Sequence, residues 1–522
     1  RQDYQRSIRV LVSGPPQQKG VERMNRRHFL RGSVAAAVAS ALPTNLLWAS
    51  LRHSPTQVSA DVNAVTGDGA EVTLRQVAVQ ELSDSMRGKL LLPGNEAYEE
   101  ARLLLNPSFD KYPALVVQPT GEADIMNAVA FAREYGLLVA VKCGGHSASG
   151  ASTCDGGMQI DLSRFRAVHV DPRAKTARVA GGSLLGELDH ETMAHGLVTT
   201  AGTVSHTGVG GLTLGGGFGR LARRYGLTLD NVLDFYVVTP DGRLRRAAAD
   251  ENPDLYWALR GGGGNFGVVT SFNFQLHPMQ RTVTNAYFRF PLSEARQVMN
   301  FFGEYADAAP DEMHVGGGIT GAPGTEAMAS IGVVWSGDAS RAESLLAPIR
   351  KAGTVKQEKI EEIDYVALQR SGDYDDPRAL SSYIKSGFIG KMTPDLVDDI
   401  VDNYEHRPDR ATRLVFQQSG GAIGRVAPDA TAFAHRESKH NMLSIVGWRY
   451  GEDGSEHIKY IKSNWAYLEP HTRGFYTNDM FTETAPMINA NYRGNYSRLL
   501  EVKQKYDPTN LFRLNANIRS DT

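Results

Sequence analysis

Glycine is the residue that most constrains this chain. It supplies 53 of the 522 positions, about a tenth against a usual share of roughly 7%. The excess gathers at 144–157, 202–219 and 261–267, so it is local design and not low complexity. In the first cluster, "VKCGGHSASGASTCDGGMQIDLSRF", His146 stands between Gly144-Gly145 and Ser147. A surface turn needs one or two glycines. A loop this short of side chains lets backbone amides come close to a ligand, with the histidine aimed at it. The second cluster, "AGTVSHTGVGGLTLGGGFGRLARRYGLTLDNV", lets successive N–H groups face anionic oxygens as a nest. Its Val209, Leu212, Leu214 and Phe218 argue against a mobile solvated loop. Two such cradles in one domain suit a pyrophosphate.

In the third cluster Gly262, Gly264 and Gly267 satisfy G-x-G-x-x-G. A helix is expected before it and a β-branched strand after it, whereas a dinucleotide fingerprint needs strand, loop, helix. Nicotinamide binding is therefore discounted. No Walker loop, H-E-x-x-H or G-x-S-x-G occurs, so NTPase and hydrolase readings have no anchor. A hydrophobic share of 41%, a charged share of 22% and a net charge of −2 describe an ordinary globular chain of two or more domains and argue against nucleic acid as main partner. Cys143 and Cys154 are the only cysteines. They exclude a disulfide framework and a Cys-rich metal site; a single bridge between them and two free thiols both remain open. No metal site is expected.

Residues 1–49 read as an upstream extension followed by an export signal. From Met24, "MNRRHFLRGSVAAAVASALPTNLLWAS" places Arg26-Arg27 before a short apolar run, Val34 to Leu42, and then small residues. That is a twin-arginine layout, and it predicts a periplasmic or secreted protein. The run is too short to span a bilayer, and no later segment reaches about 18 apolar residues; no membrane span is expected in the mature form.

From Pro113 the pattern alternates irregularly. "ALVVQP", "LLVAVKC", "MQIDLSRF", "AVHVD", "TARVAGG" and "GVVTSFNFQLHP" read as strands. "TGEADIMNAVAFAREYG", "LLGELDHETMAHG" and "NPDLYWALRG" read as helices, and "DFYVVTPDGRLRRA" as a hairpin at Asp241-Gly242. Beyond Pro278 strands such as "NAYFRF", "SIGVVW" and "MLSIVGWRY" mix with amphipathic helices such as "SEARQVMNFFGEYADA". The tail carries a helix from Tyr496 to about Lys505. The fold class is α+β, not a doubly wound parallel sheet.

The segment 113–279 resembles the FAD-binding domain of the vanillyl-alcohol oxidase / p-cresol methylhydroxylase (PCMH-type) family, with the closest likeness to berberine-bridge-enzyme-like oxidases. "KCGGHSASG", "IDLSRF", "GTVSHTGVGGLTLGGGFGRLARRYGLTLDNV", "DENPDLYWALRGGGGNFGVVTSFNFQLHP" and "GNYSRLLEVKQKYDPTNLFRLNANI" carry it. The resemblance implies a two-subdomain FAD-binding domain at 60–279 (core 113–279), an α+β substrate domain with an antiparallel sheet at 280–470, and a C-terminal segment, 471–522, returning to the FAD domain. It implies an FAD bonded through His146, whose neutral imidazole adds to the methyl group at the flavin's benzenoid edge. Some members add a second bond from a cysteine; the matching position here is Val204, so single attachment is expected.

Around the cofactor the resemblance places Cys143, Gly144, Gly145, Ser147, Gly150 and Asp161 from the first loop and its following strand. It places Gly202, Thr203, His206, Thr207, Gly208, Gly210, Gly211, Leu214, Gly215 and Gly217 from the second. Val268, and Asn515 and Asn517 of the tail, complete the set. His206 has a structural or a catalytic role. Tyr476 and Asn478 of "GFYTND" match a catalytic Tyr-x-Asn pair. A tyrosine is a poor base at its ordinary pKa of roughly 10 and acts as one where a cation or the flavin's polar edge stabilises phenolate. Gln417 and Gln418 suit a polar wall of the substrate pocket or a buried structural pair. The expected activity is hydride transfer from an alcohol, sugar or similar CH–OH or CH–X substrate to flavin N5 and then to O2, giving H2O2. A flavin dehydrogenase with another acceptor and an inactive exported binding protein are the alternatives. Oligomeric state is left open.

Overall fold

In the computed structural model, residues 55–519 are described, apart from positions 374, 375, 377, 408, 409 and 482. The export signal read at 24–49 lies outside the described residues. From Thr56 onward the chain packs as one compact unit. A hairpin, β1 (Val62–Val65) with β2 (Glu71–Leu74), leads in. Next come β3 (Lys89–Leu91), β4 (Leu115–Gln118), β5 (Val139–Lys142) and β6 (Met158–Asp161), a four-stranded sheet in the order β3-β4-β6-β5. β4, β6 and β5 run parallel. Their side chains are almost all buried, as parallel strands require when both faces are covered. Parallel neighbours cannot be joined by a tight turn. The chain leaving β5 at Lys142 must cross to start β6 at Met158, and the first glycine loop is that crossover.

β7 (Val168–Asp171), β8 (Thr176–Ala180), β10 (Val232–Val238), β11 (Leu244–Ala248) and β12 (Val268–Gln275) form an antiparallel sheet, ordered β11-β10-β12-β8-β7. β9 (Leu197–Val198) pairs with β13 (His277–Pro278) beside it. The hairpin expected at Asp241-Gly242 is β10–β11, with Gly242 at φ 76°, a backbone state that favours glycine. The helix Pro253–Leu259 precedes the third glycine cluster and β12 follows it, the order that excludes a dinucleotide fingerprint.

Seven strands make the third sheet: β14 (Thr282–Pro291), β15 (Met313–Gly321), β16 (Met328–Trp335), β17 (Gln357–Asp364), β18 (Leu380–Ile389), β19 (Ala411–Gln418) and β20 (His440–Arg449). Every pair is antiparallel, in the order β17-β14-β16-β15-β19-β20-β18. The helices Ala295–Asp307, Pro394–Asn403 and Ser455–Leu468 cover one face, burying Val315, Leu414, Phe416 and Met442 against Phe302 and Leu396. Strand alternation sends Gln417, Asn441 and Phe388, aligned by register, to the other face. There Phe388 joins Phe218, Phe433 and Tyr476 in a separate apolar cluster.

The tail helix Tyr496–Tyr506 places Leu499, Val502 and Tyr506 in the core with Leu255 and Trp257. The third glycine cluster and the tail are tied by Asn265. Its amide donates to Ala516 O at 2.8 Å, its side-chain oxygen accepts from Ile518 N at 3.1 Å, and its carbonyl accepts from Lys503 Nζ at 2.8 Å.

Candidate active site

The three glycine clusters converge. A Cβ on Gly144 would fall 2.4 Å from Gly208 N, and one on Gly208 would fall 2.5 Å from Cys143 Sγ. Only glycine at both positions lets the two loops touch. Leu214 O accepts from Gly261 N at 3.0 Å and Gly263 N at 3.1 Å, which brings in the third cluster. Gly210 lies against Gly181 O, whereas a Cβ on Gly211 meets nothing within 4 Å: that face of the helix Val209–Gly215 is open. Gly145 and Gly150 hold φ of 72° and 68°. Gly150 packs on Phe109, and Leu105 N donates to Gly145 O at 3.0 Å, so the segment before Pro113 braces the first loop, which motif reading missed. Ser147 Oγ accepts from Ala151 N at 3.0 Å and keeps the loop folded.

His146 is half-buried. Its Nε2 lies 2.7 Å from His206 Nδ1, with ring centroids 4.7 Å apart, and its Nδ1 lies 3.5 Å from Thr207 Oγ1. Burial, reinforced by the His206 ring, lowers its pKa to about 4, so the imidazole is neutral at pH 7. Next to it Ser205 is clamped to Asp373 through its N at 2.8 Å and its Oγ at 2.5 Å. Both cysteines are free, which closes the disulfide alternative. Burial pushes the Cys143 thiol up to about 11, and its Sγ is 3.6 Å from Ser183 O. Cys143 therefore supplies packing under the loop junction and no thiolate.

Several expected cofactor contacts have other partners. The buried Asp161 carboxylate accepts from Gln118 Nε2 at 2.8 Å, Ser163 Oγ at 3.0 Å and Ser163 N at 3.1 Å, and pairs with Lys142 at 3.7 Å. It fastens the end of β6 rather than reaching a ligand. Val268 is in the apolar core with Val238 and Ile160, so only its backbone is left to meet a ligand. Gly202 O and Thr203 O accept from Gln369 and Arg220. Asn515 is exposed, its amide nitrogen 2.5 Å from where a Gly264 Cβ would be, while Asn517 Oδ1 is buried without a partner among the described residues.

Tyr476 and Asn478 meet the second loop. Tyr476 Oη accepts from Gly217 N and from Asn478 Nδ2, both at 2.7 Å, and Asn478 Nδ2 also reaches Leu212 O at 3.1 Å. A Cβ on Gly215 would fall 2.2 Å from Asn478 Oδ1. Burial pushes the Tyr476 hydroxyl far above its ordinary value; the groups acting on it are amides of Gly217, Phe218 and Asn478 and the Asp479 carboxylate. Of the two expected stabilisers of phenolate, a cation is not among these groups, which leaves the flavin's polar edge.

The glutamine pair splits. Gln418 is on the helix-covered face: its Oε1 accepts from Val315 N and its Nε2 donates to Ala306 O, both at 2.7 Å. It is a buried brace and leaves the pocket-wall assignment to Gln417, one residue back on the opposite face. Gln417 Oε1 accepts from Asn441 Nδ2 at 2.9 Å, and that nitrogen also donates to Asp479 at 2.8 Å. Asn441 and Asp479 were missed; the signal was a polar residue inside the apolar strand "HNMLSIVGW" and an acid directly after Asn478.

The residues present fit an FAD. Side-chain-free backbone, an open helix face at Gly211, a neutral half-buried imidazole and the unpartnered Asn517 oxygen are what a large polar cofactor with anionic phosphates needs. Fold and site together define a flavin-dependent oxidoreductase. Residues 113–248 match the family model "FAD binding domain", and residues 477–519 match "Berberine and berberine like". An FAD-linked oxidoreductase of Dictyostelium discoideum is 33% identical over 446 residues, 84% of this chain and 96% of that protein. The solved 6-hydroxy-D-nicotine oxidase from Arthrobacter nicotinovorans superposes with a TM-score of 0.77 at 28% identity, covering 83% of this chain and 98% of that one. Glucooligosaccharide oxidase from Acremonium strictum, described as carrying 6-S-cysteinyl, 8α-N1-histidyl FAD, gives 0.75 at 25% identity over 83% and 97%. The chain belongs to the berberine-bridge-enzyme-like family of FAD-linked oxidoreductases.

Proposed function

We propose that this FAD-linked oxidoreductase is an oxidase that holds FAD through one covalent bond to His146 and oxidises a CH–OH or CH–X centre of a small molecule, with O2 as acceptor and H2O2 as product. The observation that carries the attachment is the half-buried, neutral His146 at the junction of two glycine loops. A neutral imidazole nitrogen is a nucleophile; an imidazolium is not. A related solved oxidase has both histidyl and cysteinyl linkages. Here the position read as matching the cysteine is Val204, which supports a single bond.

FAD, when bound, supplies the two-electron oxidant. The glycine loops would hold its phosphates by backbone amides. Asn478, pinned to Leu212 O, fixes the Tyr476 hydroxyl where the second loop meets the sheet. The Phe218, Phe388 and Phe433 rings around Tyr476 exclude water from that edge. Gln417 and Asn441 present polar groups from the opposite wall. Relatives named for nicotine and oligosaccharide oxidation support alcohol, sugar or amine donors. The Arg26-Arg27 segment supports export of the folded, loaded protein by the twin-arginine route to the periplasm or medium.

A peroxide-release screen over oligosaccharides, primary alcohols, aromatic alcohols and cyclic amines tests the activity. Peroxide with at least one class is expected. Substrate-dependent bleaching of the flavin followed by slow reoxidation in air would replace the oxidase with a dehydrogenase.

A further inference from the structure

The turn Thr477–Asp479 lies between the helix Val209–Gly215 and β18, and its last two side chains go to opposite walls. Asn478 reaches the glycine loop at Leu212 O. Asp479 reaches the sheet, where its Oδ2 accepts from Asn441 Nδ2 at 2.8 Å. Asn441 is fully buried, and its own amide oxygen has no partner among the described residues. An acceptor left open beside a carboxylate is a place for a donor hydroxyl. Asp479 keeps part of its surface accessible and is not sealed in the core.

Resting on the reading above, we propose that the Asp479 carboxylate receives the substrate's hydroxyl proton, with Asn441 orienting it and Tyr476 acting as a positioning hydroxyl. The O–H bond breaks and its proton goes to a carboxylate oxygen of Asp479. The electron pair of that bond closes the new C=O. The C–H pair leaves as hydride to the oxidant, which the family's FAD supplies. Burial pushes the Asp479 carboxyl up to about 7, partly offset by Asn441 and Ser386, so it exchanges protons near neutrality, where a general base is most effective. Burial raises Tyr476 as well, which takes its hydroxyl away from neutrality and out of useful range. The sheet contributes neutral Asn441 and Ser386 to this carboxylate. The titratable neighbour is Tyr476, on whose hydroxyl the carboxylate acts.

The test uses the full, FAD-loaded protein and a donor found in the peroxide screen, following anaerobic flavin bleaching against pH. The wild-type rate is expected to rise through about pH 7 and level off. Asp479→Asn should lower the plateau about a hundredfold or more and abolish the rise. Asn441→Ser removes a donor that favours the charged carboxylate, so the rise should move to higher pH. Tyr476→Phe should slow bleaching and leave the rise in place. If Asp479→Asn loses its flavin, Asn441→Ser decides alone, and an unmoved rise overturns the assignment. Wild-type bleaching with an unchanged rate and rise in Asp479→Asn sinks this proposal only. A wild-type flavin that no donor bleaches sinks the oxidase reading as well.

Discussion

The two walls of the cleft are built by different rules. The cradle wall is made of backbone: Gly144 against Gly208, Leu214 O under Gly261 and Gly263, Gly217 N on Tyr476. The sheet wall is made of side chains set by strand register: Gln417, Asn441, Ser386 and Phe388 on one face, Gln418, Met442 and Ile389 on the other. A cofactor shared across a family can be held by main-chain groups in a fixed geometry. A substrate peculiar to one member is met by side chains that change without disturbing the ladder beneath them.

The sharpest way to break this contrast is to put the same side chain on both walls. Gly144→Val drives atoms into Gly208 N, which an added Cβ already approaches to 2.4 Å; it should cost about 3 kcal/mol or more and abolish FAD loading. Gly332→Val on β16 meets Tyr287 at 3.7 Å and should cost less than about 1 kcal/mol. Thermal unfolding and flavin absorbance of the two variants decide, and equal effects would erase the distinction.

Burial raises a carboxyl on each side, Asp479 on the sheet and Asp189 on the cradle. Asp189, on the cradle side beside Gln369, is buried, and burial raises its carboxyl from 3.8 to about 7. A raised acid binds its proton more tightly folded than unfolded. Its penalty is absent below pH 3.8, grows as pH rises, and is complete above about 7. Asp189→Asn should therefore stabilise the protein at pH 8 by on the order of 2–4 kcal/mol and leave it unchanged at pH 3.5. Urea unfolding at the two pH values checks this, and a gain at low pH would contradict the sign.

The smallest effect separates neighbours on β19. Gln418→Ala removes two buried hydrogen bonds and should cost about 1–3 kcal/mol with KM unmoved. Gln417→Ala should leave the unfolding midpoint nearly in place and raise KM. The reverse pattern would mean that the register of β19 is misassigned.

Legibility in the sequence followed the same divide. The cradle was readable because glycine at close approach is nearly obligatory: Gly144, Gly208 and Gly217 announce themselves, and His146 stands out among them. The strands at 115–118, 139–142 and 268–275 and the tail helix from Tyr496 were readable from apolar runs and periodicity. The partners of Asp161 could not be read from the sequence, because an acid at a strand end serves a lysine and a serine as readily as a ligand. Gln417 and Gln418 could not be separated, since their faces depend on pairing with β15 and β20, far away in sequence. Asp479 was overlooked for a related reason. Its environment is assembled by Asn441 and Ser386 from two other strands, and burial that remote leaves no trace in local composition. Tyr476 was located correctly beside Asn478, but its surroundings, amides and aromatic rings without a cation, were visible only in three dimensions.

The central claim is that the two glycine loops deliver a neutral His146 to a cofactor held by backbone. The direct measurement is the intact mass of the acid-denatured protein, wild type beside His146→Ala. The account predicts that the wild type exceeds its bare polypeptide by one FAD and stays yellow after precipitation, while the variant falls to the bare mass. A wild type at the bare mass, or a variant that keeps the added mass, would contradict it.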